Sequence, residues 1–397
     1  MVLIVGSGAG GSTVAREIAR AGIPVTVLEK GPTVSMGKAY KCYQPSEPCL
    51  DLLSTVCMGG STLVSAGNAV VPSKQYLETM SIDLSKQLNE IKKELNIKEL
   101  PDSHFGRGTI RIMEAASHLG FNIKKMPKFI KPPKCKPCGK CALGCPQNAK
   151  WTALDYLKDA EKHGATIINE TPVTGIITEN GHVVGVKSHD KIFKSDTVIL
   201  APGAISTPRL LQKLGLNAGK EFFMDTFVTV GGIIKDIGFN EEVQMNALIE
   251  FEDYIIAPHY SSLIFKQLQR QGTKEADILG LMVKIKDESA GRVEPDKIVK
   301  YNTLNDVQLL CEASTKAGAI LMEAGVDPRS IVSTPPRGAH PGGTAPIGKI
   351  VDKNLETPIR GLFVSDASVL PQSPGIPPIV TIIALAKRLA KHIISIA

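Results

Sequence analysis

Four cysteines, Cys135, Cys138, Cys141 and Cys145, fall within the stretch "CKPCGKCALGCP". Their C-x2-C-x2-C-x3-C-P spacing is that of bacterial iron–sulfur ferredoxins, where thiolates ligate iron. Seven of the eight cysteines, Cys42, Cys49 and Cys57 among them, lie in the first 145 residues, and only Cys311 lies beyond. No secretory leader precedes the first apolar run, so the expected compartment is the cytosol, where cysteines serve metals and redox chemistry rather than disulfides. The run suits a [4Fe–4S] cluster, a structural zinc, or no metal at all, the thiols then packing a loop. Four-cysteine zinc sites usually come as two separated pairs rather than one ladder. In two-cluster ferredoxins the fourth cysteine of such a run serves the other cluster. A single cluster here therefore needs Cys145 folded back, or one of Cys42, Cys49 and Cys57. Between Lys124 and Lys150 there are eight lysines and no Asp or Glu. That is either a solvated face or a positive field that offsets thiolates and steers an acidic electron carrier.

A second chemistry stands at the start of the chain. In "VLIVGSGAGG", Gly6, Gly8 and Gly11 make G-x-G-x-x-G between an apolar run and an amphipathic one, and Glu29 closes the next apolar run, "PVTVLE". Glycines there permit a tight turn and let backbone N–H groups reach a pyrophosphate at a helix N-terminus, while the acid accepts hydrogen bonds from a ribose. The context of strand, turn, helix, strand and acid points to a dinucleotide, and by itself does not separate FAD from NAD.

These groups need a scaffold. At 397 residues, 43% hydrophobic and 21% charged, the chain has the make-up of a soluble globular protein of two domains. The late apolar stretch "IVTIIALAKRLAKHIISIA" carries Lys387, Arg388 and Lys391 and reads as an amphipathic core helix, not a membrane span. Residues 83–97 and "GTIRIMEAASHLG" read as helices, "ENG" as a hairpin turn, and 125–150 as a loop that is ordered only if something holds it. From about 216 to 334 the pattern changes to strands such as "FVTVGGII" and "LGLMVKIKD", then a helix, before dinucleotide-type segments resume. The expected fold is α/β: a Rossmann-type domain in two parts, 1–215 (with the cysteine-rich loop 125–150) and 335–397, around an inserted α+β substrate domain, 216–334, built on an antiparallel sheet. Neither a nucleic-acid partner nor a membrane span is expected.

Four further stretches, in this order along the chain, give the sequence a family likeness. "GGSTLVSAGN", "GAISTPRLL", "AHPGGTAPIG" and "GLFVSDASVLP" make it resemble the glucose–methanol–choline (GMC) oxidoreductases, a family of FAD enzymes, over nearly its whole length. The resemblance implies that FAD, not NAD, is bound. Gly6, Gly8, Gly11 and Glu29 would hold the ADP half, with Val173 by the adenine. Gly59, Gly60, Ser61, Ser65 and Asn68 would line the pyrophosphate and flavin, and Asp366 and Ala367 the ribityl chain and ring. Ser65 departs from the pattern, since many members have Asn there.

The same resemblance makes His340 the active-site base, taking a hydroxyl proton while the carbon's hydride goes to flavin N5. An imidazole with an ordinary pKa of about 6.5 is largely neutral at physiological pH and suits that task. The family's second active-site position, usually His or Asn, is here Pro377, which has no side-chain donor or acceptor. His259 and Tyr260 are candidate substitutes. Two readings follow: an FAD-dependent dehydrogenase of CH–OH substrates that passes electrons on through a [4Fe–4S] cluster to a ferredoxin-like or other acidic carrier, or a flavin/iron–sulfur relay subunit with no alcohol substrate. A third, a zinc-stapled binding module, would hold no flavin.

Overall fold

A computed structural model describes residues 1–45, 50–269 and 272–397. Cys49 lies outside the described residues. The N-terminal unit is a five-stranded parallel sheet in the order Leu362–Val364, Thr197–Leu200, Val2–Val5, Val25–Leu28, Thr166–Ile168. Four of its strands are short, rich in aliphatic residues and almost wholly buried, as a sheet covered on both faces requires, and the edge strand Thr166–Ile168 is partly exposed. Helix Ala9–Arg20 turns Val14, Ala15, Ile18 and Ala19 inward and packs against Ala153–Lys162 and the C-terminal helix Ile379–Ile396. Where these helices meet, the buried Arg16 pairs with Glu17, Glu94 and Asp159, and Lys387 pairs with Glu17 and Glu94. Of the cations that break the apolar run of the last helix, Lys387 is thus used inside the protein, while Lys391 pairs with Glu90 at the surface. Among the described residues no helix is long and apolar enough to cross a membrane.

The second unit is a six-stranded sheet in the order Val332–Ser333, Phe227–Ile233, Ile278–Ile285, Tyr254–Pro258, Ala247–Glu250, Ile123–Lys125, antiparallel throughout. Helix Leu304–Glu323 lies across it and buries Leu310, Ala313, Ala317, Ile320 and Leu321. That helix starts at a capping box, Thr303 and Asp306 each bonding the other's backbone N–H. The sheet is not built from 216–334 alone. Its edge strand, Ile123–Lys125, comes from the preceding segment, and helix Arg107–His118 packs on Leu304–Glu323. The "ENG" hairpin forms as read, joining Gly175–Glu179 to His182–Ser188, with Asn180 and Gly181 both at positive φ.

Candidate active site and thiol recess

The cofactor cradle is drawn from three segments far apart in sequence. Glu29 is buried and accepts from the Ser7 N–H (2.9 Å), the Ser7 hydroxyl (2.5 Å) and the Gly31 N–H (2.8 Å). The Ser7 oxygen in turn accepts from Gly59 N–H at 2.9 Å, which ties the first glycine turn to the second. Helix Ala9–Arg20 begins at Gly8 with no side-chain cap, so its amide end is available to an anion. A Cβ on Gly8 would meet nothing within 4 Å, whereas one on Gly10 would stand 1.6 Å from the Ser365 carbonyl. The turn is therefore packed hard on its protein side and open on the other. Gly60 lies against Gly8, and Val173 is half-buried two residues beyond Thr171, whose N–H bonds the Glu29 carbonyl.

The other predicted cofactor residues have more structural duties than the sequence showed. Asp366 accepts from Gly203 N–H (2.8 Å), Thr207 hydroxyl (2.6 Å), Ser368 N–H (2.9 Å) and Ser368 hydroxyl. Its side chain thus locks "GAISTPRLL" onto the C-terminal segment, and burial raises its pKa against those donors. Ala367 accepts from Gly343 N–H, which seats the "HPGG" turn beside it. Ser61 is exposed, its oxygen accepting from Thr55 N–H. Ser65 donates to the Thr62 carbonyl, and Asn68 is buried.

His340 stands at the joint between the two units. Its Nδ1 is 2.9 Å from Asp225 Oδ2 and 3.4 Å from Lys284 Nζ. Lys284 Nζ is itself 2.9 Å from Asp225 Oδ2, and Ser373 donates to Oδ1. Asp225 adopts a left-handed backbone (φ 49°), which an aspartate tolerates and which delivers its carboxylate to this point. Burial works to raise the Asp225 carboxyl, but the Lys284 ammonium, with His340 and Ser373, outweighs it and holds the carboxyl below its ordinary range. Burial, and after it Lys284, lowers the His340 imidazole, with Asp225 pulling the other way. An ionised Asp225 accepting the Nδ1 proton leaves Nε2 as the basic nitrogen, on an imidazole biased towards neutrality.

Neither Asp225, Lys284 nor Ser373 was singled out in the sequence. The one available signal was Lys284, a lysine inside the fully buried strand Ile278–Ile285, where a cation must be paired. Of the expected substitutes for Pro377, His259 Nδ1 pairs with Thr229 Oγ1 at 3.1 Å, its ring meets edge-on that of Phe227, which clusters with Ala339 and Ile376, and burial, then Arg337, pushes its pKa down to about 4. Tyr260 packs with Ile264, Leu268 and Ile278. Pro377 is buried.

The four clustered cysteines, all half-buried, line one recess together with Ile130, Val243, Lys140 and Lys150. Its turn Cys141–Leu143 packs on Met36–Cys42 and on Gly60–Val64, the flavin-lining turn of the expected site. Burial, and then the neighbouring thiols, push the Cys135 pKa up to about 12. Cys42 and Cys57 sit in a separate buried cluster with Ala39, Leu63 and Val64 and do not line the recess. Among the described residues no three His, Cys, Asp or Glu side chains are gathered to hold a metal ion. The recess is about 20 Å³, so an occupant larger than a single ion requires the thiol-bearing loop to move outwards. The eight lysines differ in exposure: Lys124, Lys131, Lys134, Lys136 and Lys140 are exposed, Lys125 is half-buried, and Lys128 and Lys150 are buried.

Residues 53–244 and 283–386 match the N-terminal and C-terminal family models of the GMC oxidoreductases. The chain belongs to the GMC oxidoreductase family. It is an FAD-dependent oxidoreductase, and the uncapped helix end, open Gly8 and anchored Glu29 suit the ADP half of that cofactor. Residues 4–47 also match a NAD(P)-binding Rossmann-like domain. An uncharacterized protein of Methanocaldococcus jannaschii is 37% identical over 98% of this chain and 99% of its own length. A long-chain-alcohol oxidase of Arabidopsis thaliana is 24% identical, over 99% of this GMC chain and 67% of the plant protein. Among solved structures, pyridoxine 4-oxidase from Mesorbium loti superposes with a TM-score of 0.73 at 16% identity, covering 98% of each chain, and so shares the fold.

Proposed function

We propose that this GMC protein dehydrogenates a small CH–OH substrate, with His340 as the base and Asp225 as its positioning residue. The observation that carries the reading is the His340–Asp225 pair at the joint of the two units. FAD, when bound, supplies the hydride acceptor. His340 Nε2 takes the hydroxyl proton as the C–H hydride departs, leaving a carbonyl product, and Asp225 balances the imidazolium that forms. A general base of this kind is worth about 10²–10⁴ in rate. Long-chain alcohols and pyridoxine, the substrates in the names of the plant and Mesorbium loti proteins, are the ones to try first.

We infer that Cys135, Cys138, Cys141 and Cys145 would hold a [4Fe–4S] cluster, which would supply one-electron transfer to an acidic carrier. The thiol run against the Gly60–Val64 turn supports this, as do the exposed Lys131, Lys134, Lys136 and Lys140 that precede the exposed Leu143 in the sequence. The described cysteines are all free, which supports a reducing, cytosolic setting. Pro377 favours one rival, a relay subunit whose flavin is reduced only by a carrier.

Anaerobic bleaching of the bound flavin by a panel of alcohols tests the main reading. His340→Ala is expected to retain flavin and to lose bleaching by at least a hundredfold. Unchanged bleaching in that variant removes His340 from the chemistry, and bleaching by reduced carrier alone establishes the relay.

A further inference from the structure

The Asp225 carboxylate meets His340 from a backbone in the left-handed region (φ 49°), and that conformation must be held in place. The group that holds it is Asp287, a buried aspartate two residues past the end of strand Ile278–Ile285. Its Oδ1 accepts from the Asp225 N–H at 2.8 Å and its Oδ2 from the Met224 N–H at 3.2 Å, with the Thr226 hydroxyl 3.4 Å from Oδ2. Two consecutive amides turned onto one carboxylate thus find a partner just before strand Phe227–Ile233 begins. The Met224 carbonyl in turn accepts from the backbone N–H groups of Ala339 and His340, both at 3.1 Å. Residues 224 and 225 therefore carry two anchors of His340. Its Nδ1 is held through the Asp225 carboxylate, and its main chain through the Met224 carbonyl.

Asp287 has its own counter-ion. Lys300 Nζ stands 2.9 Å from Asp287 Oδ2 and 3.6 Å from Asp306 Oδ2, and it donates to the Glu288 carbonyl at 2.8 Å. Asp306 accepts from the Glu288 and Thr303 N–H groups, both at 2.9 Å, which fastens this cluster to the start of helix Leu304–Glu323. A buried ion pair adds little net stability over apolar residues of the same volume. What this one does that apolar residues could not is turn the amides of Met224 and Asp225. We propose that Asp287 is a positioning residue of the reaction: by holding the backbone at Met224 and Asp225 it sets the side-chain and main-chain anchors of His340 together. The inference deepens the reading of His340 as the base and rests on it. Asp287 acts through Asp225 and Met224 and takes no proton from the substrate.

Asp287→Asn keeps the shape and offers one acceptor oxygen where the carboxylate offers two. Whichever way its amide turns, an NH2 faces the N–H of either Asp225 or Met224. The experiment uses the full chain with FAD bound and the histidine ring nitrogens labelled for NMR. Neutral wild-type His340 is expected to carry its proton on Nδ1, against Asp225, and in Asp287→Asn the two tautomers are expected to mix. The rate of anaerobic flavin bleaching at saturating alcohol, with pyridoxine or decanol as the probe, is expected to fall roughly 10- to 100-fold, the scale of a misplacement of about 1 Å. Flavin content and the half-saturating alcohol concentration are expected to hold, which a general loss of structure would not allow. A second measurement needs no variant: amide hydrogen exchange in the wild type should protect Met224 and Asp225 as strongly as strand Phe227–Ile233. Exchange there as fast as in a loop, or an unchanged tautomer or rate in Asp287→Asn, overturns the assignment of Asp287 alone, provided His340→Ala abolishes bleaching. Persistent bleaching in His340→Ala, or none from either alcohol in the wild type, overturns the base and this inference with it.

Discussion

Asp225 is the most exacting point of the active-site argument, because one buried carboxylate serves Lys284, His340 and Ser373. Asp225→Asn removes the only carboxylate paired with Lys284 among the described residues, and that lysine's side chain is 1% exposed. Breaking a buried pair from one side costs about 3–5 kcal/mol, most of it the penalty of the stranded charge. Lys284→Met is milder, since Asp225 keeps His340 and Ser373; losing one charged hydrogen bond while also relieving a buried ammonium leaves about 1–2 kcal/mol. The double variant strands nothing and is expected near the Lys284→Met value, so the two changes are non-additive by about 3–5 kcal/mol. Urea unfolding of the four proteins in a double-mutant cycle measures this. Imidazole NMR titration supplies a second readout: His340 should titrate higher in Lys284→Met and lower in Asp225→Asn, because one change removes a repelling cation and the other an attracting anion. Additivity within about 0.5 kcal/mol, or a His340 titration unmoved by either change, would refute the proposed network.

Three further expectations follow from the same structure. Because native His340 titrates below its ordinary value of about 6.5, the unfolded chain binds more protons in the window beneath it, so stability attributable to His340 is full above pH 6.5 and is lost as pH falls through that window; the acid limb of the pH–kcat/KM profile should likewise lie below 6.5, and one at 7 or higher contradicts it. Gly10→Ala should prevent stable folding, since its Cβ would sit 1.6 Å from the Ser365 carbonyl, whereas Gly8→Ala should fold and bind FAD more weakly; equal melting temperatures for the two would be inconsistent with this packing. Thr303→Ala, at the cap of helix Leu304–Glu323, should cost about 1 kcal/mol in urea unfolding without altering the flavin spectrum.

What the sequence disclosed was mostly what is local. The Gly6–Gly8–Gly11 turn, Glu29 and the cysteine run are readable because each chemistry needs its residues at fixed short spacing. Asp225 was not readable: its partners are 59, 115 and 148 residues away, and an aspartate in "MDTF" looks like any turn acid. Lys128 and Lys150 were read as part of a lysine-rich field because composition cannot tell an exposed lysine from a buried one; only the contacts to Asn68 and Cys141 separate them. The edge strand Ile123–Lys125 escaped because it is only three residues long and two of them are lysines, so no apolar alternation marks it and only its pairing with Ala247–Glu250 does. The sheet it joins was assigned to 216–334 for the same reason.

The order of strands in the parallel sheet has a consequence for how the protein is made. Val2–Val5 is synthesised long before its neighbour Thr197–Leu200 and the strand beyond, Leu362–Val364. At a synthesis rate of roughly 5–20 residues per second, the nascent chain waits on the order of 20–70 s before the sheet can close. Throughout that interval one edge of an apolar strand has no partner, which is when such edges recruit other chains. Early FAD capture by the first glycine turn would not end the wait, because Ser365, against which Gly10 packs, is synthesised last of all the cradle's walls. The cofactor site is therefore completed only once the "GLFVSDASVLP" segment has been synthesised, and truncation anywhere before that segment leaves it without a wall.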